Sequence, residues 1–146
     1  MSATATSYKI EPLNGDNYLA WRRRIEWILD DLDLWTVANG TERLPVPADP
    51  TAATPAELAN IAEWKRRDKK ARKEICLRVS DEYLVYIDQV TTAPELWATL
   101  QTIFESKATV GITLLWRELF RTVAKDGANM EEHIRKLRGL YLQINA

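Results

Sequence analysis

Apolar residues recur along this chain at intervals of three and four, and no useful length alternates with a period of two, so the pattern predicts helices throughout. The chain is organised around Leu13-Asn14-Gly15-Asp16-Asn17-Tyr18-Leu19-Ala20-Trp21, which joins a turn, a helix start and two large aromatics. Asn14-Gly15 predicts a positive-φ turn, and Asp16 or Asn17 can cap the helix that follows. Tyr18, Trp21, Ile25, Ile28 or Leu29, and Leu32 then form the buried stripe of a first helix predicted to run to about Asn39, with Gly40 as its C-terminal cap.

Thr41 to Thr54 carries Pro45, Pro47 and Pro50 among small residues and reads as a surface linker. Thr54-Pro55-Ala56-Glu57 is a capping box with proline at the first helical position, opening a second helix predicted to reach about Val79. Its apolar face is Leu58, Ile61, Trp64, Ala71, Ile75 and Val79, with Asp68 as the odd member. Ser80-Asp81-Glu82 caps a short helix through Tyr83, Leu84, Tyr86 and Ile87. Thr92-Ala93-Pro94-Glu95 opens another through Leu96, Trp97, Leu100, Ile103 and Phe104. A loop is expected around Ser106 to Thr109, then a helix through Ile112, Leu115, Trp116, Leu119, Phe120 and Val123. Asp126-Gly127 turns the chain, and Asn129 with Glu132 resembles a last cap, before Ile134, Leu137, Tyr141 and Ile144. The fold class is therefore all-α, with about six helices. Residues 1–8, small and polar, read as a flexible arm, or alternatively as an extended segment exchanged with a neighbouring subunit.

Composition narrows the function more than the fold. Twenty basic and 21 acidic side chains leave a net charge of −1, so no global field draws the chain onto nucleic acid or anionic membrane; such binding needs a local patch. The single cysteine, Cys76, cannot form an internal disulfide and fits a reducing compartment, the cytoplasm or else the nucleus. No apolar run approaches the roughly 20 residues of a membrane span, so no membrane partner is expected.

The order of motifs resembles the start of the Gag polyprotein of copia-type (pseudoviral) LTR retrotransposons, or a domesticated gene derived from one. It runs Leu13-x-Gly15-x-Asn17-Tyr18-x-x-Trp21, Trp27, Leu34-Trp35-x-Val37-x-x-Gly40, Trp64-x-x-x-Asp68-x-Lys70-Ala71-x-x-x-Ile75, Thr92-Ala93-x-Glu95-Leu96-Trp97-x-x-Leu100-x-x-x-Phe104, Leu115-x-x-x-Leu119 and Asp126-Gly127-x-Asn129-Met130-x-Glu132-x-Ile134. The family usually has Phe where this chain has Leu13. The resemblance implies a retroviral-capsid-like bundle: an N-terminal lobe over 9–90, containing the linker 41–54, and a truncated start of a C-terminal lobe over 91–146. A single compact bundle is the alternative. It also implies a structural protein that associates with itself into virus-like particles packaging RNA, weakly so in a truncated chain.

Catalytic chemistry is scarce. His133 is the only histidine, and it shares no metal-ligand spacing with Cys76. There is no phosphate loop, nucleophile elbow or paired-acid motif, so neither an enzyme nor a cofactor or metal site is expected. The expected core is Tyr18, Trp21, Ile25, Trp64, Ile75, Trp97, Phe104 and Leu119. Trp27 is also read at a core-like position, and Cys76 as a buried structural thiol. Lys65, Arg66, Arg67, Lys69, Lys70, Arg72 and Lys73 put seven basic residues within nine. They read either as a solvated face partly paired with Asp30, Asp31 and Asp33, or as a surface meeting RNA or an acidic patch of a neighbouring subunit. Trp35 and Trp116 fit the core pattern less well, and an aromatic left outside its own core is a typical interface anchor. With Arg22 and Arg23 on the outer face of the first helix, they are the expected assembly surface. A nucleic-acid-binding adaptor using the basic helix is the alternative function.

Overall fold

A computed structural model describes residues 8–126 and 130–144. They form six helices: α1 (Tyr18–Asp31), α2 (Trp35–Ala38), α3 (Pro55–Cys76), α4 (Asp81–Ile87), α5 (Ala93–Asp126) and α6 (Met130–Ile144). The described residues contain no sheet; the only β pairing is an isolated parallel bridge between Leu13 and Val79. The Gly127 turn, the Asn129 cap and residues 1–7 of the expected arm lie outside the described residues.

The stretch before α1 is built from side chain to backbone bonds. Asn14 Oδ1 accepts from the Asp16 amide at 2.8 Å, so the turn does not need the left-handed glycine expected of Gly15. Gly15 matters instead for its missing Cβ, whose place lies only 3.0 Å from the Tyr83 hydroxyl. Asn17 stands at the N-cap position but makes no cap bond. Its amide group staples the loop, accepting from the Asn14 amide at 2.8 Å and donating to the Pro12 carbonyl at 2.9 Å. Leu13, fully buried, then donates to the Arg78 carbonyl at 2.8 Å, and the Ser80 amide donates to the Leu13 carbonyl at 3.0 Å. The indole of Trp21 donates to the same Arg78 carbonyl at 2.8 Å. One carbonyl thereby ties the N-terminal stretch, α1 and the α3–α4 junction together. Tyr8, expected in the flexible arm, is also held: its hydroxyl donates to Asp31 at 2.8 Å and its carbonyl accepts from Arg78.

The first helix does not run to Asn39. It ends at Asp31, and Asp33 takes the left-handed conformation (φ 57°), which aspartate tolerates better than most residues. The Leu34 amide reaches back to the Leu29 carbonyl at 2.7 Å, and the chain re-enters the core as α2, burying Leu34, Val37 and Ala38. Gly40, at φ 81°, terminates α2. The Thr54–Glu57 capping box is present in both directions, Glu57 also accepting from the Ala48 amide at 3.2 Å across the linker. α3 stops at Cys76 rather than Val79, because the Arg78 and Val79 amides turn back to Ile75 and Cys76 and release Val79 into the bridge. Its burial begins at Trp64; Leu58, expected on the buried face, is exposed and Ile61 is half-buried. α4 starts after Ser80 without a side-chain cap, the Ser80 hydroxyl being buried and unpartnered.

The expected loop at Ser106–Thr109 is helix. α5 continues through it for 34 residues, on the order of 50 Å. Thr109 and Thr113, whose branched side chains disfavour helix, donate their hydroxyls to the carbonyls four residues earlier, at 2.9 and 3.0 Å, and sit comfortably inside it. α6 packs against α5 and α1.

One apolar cluster holds these helices. Tyr18, Trp21, Ile25 and Leu29 of α1, Ala71 and Ile75 of α3, Tyr83 and Ile87 of α4, and Ala93, Leu96, Trp97, Leu100 and Phe104 of α5 all belong to it. Its α5 members lie beyond residue 90. Aromatic contacts run through the centre: Tyr18 stacks on Phe104 at 5.6 Å, Tyr83 meets Phe104 edge-on at 4.7 Å, and Trp21 stacks on Trp97 at 6.2 Å. Tyr18 also brings its hydroxyl into this apolar setting without a protein partner, and burial raises its pKa. Tyr18→Phe is therefore expected to leave the urea midpoint unchanged or raise it, since the ring packing survives and an unmatched polar atom disappears. A fall of more than about 1 kcal/mol would show that the hydroxyl is hydrogen-bonded in solution.

Candidate functional site

The basic run of α3 divides into two populations once the helix is docked. Trp64, Asp68, Ala71 and Ile75 are the buried stripe. At about 100° per residue, Lys65, Lys69 and Lys73 line up along one side of the solvent face, with Arg66 and Lys70 beside them. All five are exposed, whereas Arg67 and Arg72 are half-buried.

Arg67 is a structural clamp. Its guanidinium pairs with Glu42 at 2.7 Å and donates from Nε to the Asp33 backbone carbonyl at 3.0 Å, its Nη2 reaching the same carbonyl, so it holds the α1–α2 turn. That guanidinium, and after it the Thr36 hydroxyl, keeps the Glu42 carboxyl below the usual carboxylate range. The indole of Trp64 donates to the Glu42 carbonyl at 2.8 Å and fixes the start of the linker. Arg72 donates to Asp68 at 3.1 Å, and the other oxygen of Asp68 accepts from the buried Ala93 amide at 2.6 Å. Asp68 thus crosses from α3 to cap the first residue of α5. Arg66 pairs with Glu63 at 2.7 Å on the surface.

The expected pairing with Asp30, Asp31 and Asp33 is therefore not what the structure contains. Arg67 reaches the Asp33 carbonyl and not its carboxylate, and Asp31 serves Tyr8. Among the described residues, Lys65, Lys69, Lys70 and Lys73 form no ion pair, which leaves four cations on one open face.

The eight residues expected in the core, Tyr18, Trp21, Ile25, Trp64, Ile75, Trp97, Phe104 and Leu119, are all buried. Trp27 is not: it is 61% exposed, with the Arg23 guanidinium 5.3 Å over its ring. Two residues beyond Ile25, it lies about 200° around α1 from the buried stripe. Trp27, Tyr8, Lys9, Ile10, Arg24, Ile28 and Asp31 line a shallow cavity of about 300 Å³.

The expected assembly residues are not gathered into one patch. Arg22 bridges to Glu105 of α5 at 3.4 Å, and Arg23 covers Trp27. Trp35 is half-buried edge-on to Trp97 at 5.2 Å, and Trp116 stacks on Phe120 at 5.7 Å. Reading the sequence missed Val85 and Tyr86, both exposed on α4, and Val110 and Leu114, exposed on α5. Tyr83 and Ile87, four apart and both buried, mark the inner side of α4 and place Val85 and Tyr86 outside it; that signal was available.

Cys76 is half-buried rather than buried, beside a cavity of about 250 Å³ lined by Arg72, Leu84, Ile87, Asp88, Val90 and Leu96. Burial pushes its thiol up, which disfavours the reactive thiolate. Among the described residues no group of three His, Cys, Asp or Glu side chains could hold a metal ion, and no helix is long and apolar enough to cross a membrane.

The gag-polypeptide of LTR copia-type matches residues 25–146. The chain is 24% identical, over 97% of its length, to the retrovirus-related Pol polyprotein from transposon TNT 1-94 of Nicotiana tabacum. It is 26% identical, over 75% and 73% of its length, to the corresponding polyproteins from transposons RE1 and RE2 of Arabidopsis thaliana. It spans 10%, 8% and 7% of those three polyproteins. No solved structure matches it significantly.

Proposed function

The chain belongs to the copia-type LTR gag-polypeptide family, and from that premise we propose that it is a non-catalytic structural domain which associates with copies of itself into shells enclosing retrotransposon RNA. One observation carries the reading. Large apolar side chains are exposed on three separate helices, Trp27 on α1, Val85 and Tyr86 on α4, and Val110 and Phe120 on α5, around a core that is already filled. One self-complementary face closes a dimer and stops, whereas a shell needs each subunit to offer two or more. Separated exposed aromatics are the raw material of such contacts.

Light scattering and electron microscopy of the full chain test this directly. Particle size should grow with protein concentration in the absence of nucleic acid. A monomer at every concentration, with and without single-stranded RNA, would refute it.

The four unpaired lysines of α3 support the RNA part and also a second reading, a nucleic-acid adaptor that assembles only when RNA is present. In either case binding is to phosphate and blind to sequence. Changing Lys65, Lys69, Lys70 and Lys73 together to Gln should weaken single-stranded RNA binding at low salt. The log-log dependence of affinity on salt should flatten by about 0.7 for each phosphate that the variant no longer neutralises. Unchanged affinity and slope would leave this face merely solvated.

A further inference from the structure

α5 leaves the core after Phe104 without turning polar. Between Val110 and Phe120, apolar side chains occupy every side of the helix: Ile112 and Leu119 on the side of Phe104, Val110 and Leu114 opposite, Trp116 and Phe120 between. A helix apolar all round is ordinarily covered all round. Here Leu119 is buried, while Val110 is 58% and Phe120 65% exposed.

The outward face is built for contact. Trp116 and Phe120, one turn apart, stack with only 25° between their planes and make a flat aromatic plate. Thr109 and Thr113, next to it, spend their hydroxyls on helix carbonyls. Covering these two threonines therefore leaves no hydroxyl without a partner, and their methyl groups remain for packing.

We infer that this face binds the same face of α5 in a second copy, the two helices running antiparallel about a twofold axis at Thr113. The inference rests on the self-association reading above and adds the surface, direction and register. In that register Val110 meets Trp116 of the second copy, Ser106 meets Phe120, and Glu105 meets Arg121. The charges favour that direction. Parallel pairing would set Arg117 against Arg117 and Arg121 against Arg121, whereas the antiparallel arrangement gives Arg121 a carboxylate that is still 55% exposed beside Arg22. Covering Val110, Leu114, Trp116 and Phe120 removes on the order of 400–500 Å² per copy, so the pair approaches the lower edge of stable interfaces, about 1,200 Å² in total. A weak dimer follows, suited to one contact repeated through a larger assembly.

The test uses the full chain in sedimentation equilibrium and mild oxidation, in a Cys76→Ser background. Phe120→Glu, on an exposed side chain, should weaken self-association at least tenfold with an unchanged thermal transition. Thr113→Cys should give a disulfide-linked dimer, while Lys69→Cys on α3 should not. Arg121→Glu should weaken the dimer, and Arg121→Glu with Glu105→Arg should restore it. Undiminished association of Phe120→Glu, or no cross-link through Thr113→Cys in a wild-type background that does associate, overturns this surface and leaves the self-association reading standing. A wild-type chain that never associates overturns both.

Discussion

Trp21→Ala is expected to cost about 3–5 kcal/mol, the range for truncating a fully buried large aromatic, and so a large part of the ~5–15 kcal/mol that holds a domain of this size folded. Trp21 is 1% exposed, lies against Trp97 and shares the Arg78 carbonyl with the Leu13 amide. Its loss opens a cavity where α1, α5 and the α3–α4 junction meet, and no neighbour is free to collapse into it. Trp21→Phe separates packing from hydrogen bonding. Most of the ring contact survives and the Arg78 carbonyl keeps its bond from Leu13, so the cost should fall to about 1–2 kcal/mol. Urea unfolding read by far-UV circular dichroism gives both numbers. If Trp21→Ala costs under 1 kcal/mol, this junction does not organise the fold as described.

What could be read in the sequence was what short-range chemistry decides. The Thr54–Glu57 box and the Thr92–Glu95 start each place a hydroxyl three residues before a free amide, and both appear where expected, although the Thr92 bond is long at 3.4 Å. The α1 stripe was legible because period and burial coincide at Trp21, Ile25 and Ile28. The break at Asp33 was not, because the apolar period continues through Leu34 and only a left-handed aspartate interrupts it. The false loop at Ser106–Thr109 came from weighing β-branching without the back-bonded hydroxyls that offset it. The basic run needed three dimensions. Arg67 and Arg72 look like their lysine neighbours in sequence, and only the docking of α2 and α5 against α3 gives them partners.

Asp68 is where that docking can be measured. It is 4% exposed, and its carboxylate serves Ala93 and Arg72 at once. Ala93 is itself fully buried, so without Asp68 its amide has neither a protein acceptor nor water, a deficit of about 1–3 kcal/mol. The negative charge also sits at the N-terminus of α5, where the helix dipole favours it by up to about 1 kcal/mol. Arg72 is a third exposed and can turn to water, so its half of the pair adds little. Asp68→Ala should therefore cost about 2–4 kcal/mol. Asp68→Asn, which can still accept from Ala93 but turns an amide donor toward Arg72, should cost about 1–2 kcal/mol, and Arg72→Gln less than either. The order Ala, Asn, then Arg72→Gln is the discriminating result. If Arg72→Gln proves the most damaging, the salt bridge and not the cap anchors α5; if all three fall within about 0.5 kcal/mol of wild type, packing alone holds it. Because α5 carries Trp97 into the core at one end and Trp116 and Phe120 out to solvent at the other, a loosened start should also disperse the outer face. Asp68→Ala should then weaken self-association more than its distance from that face would suggest.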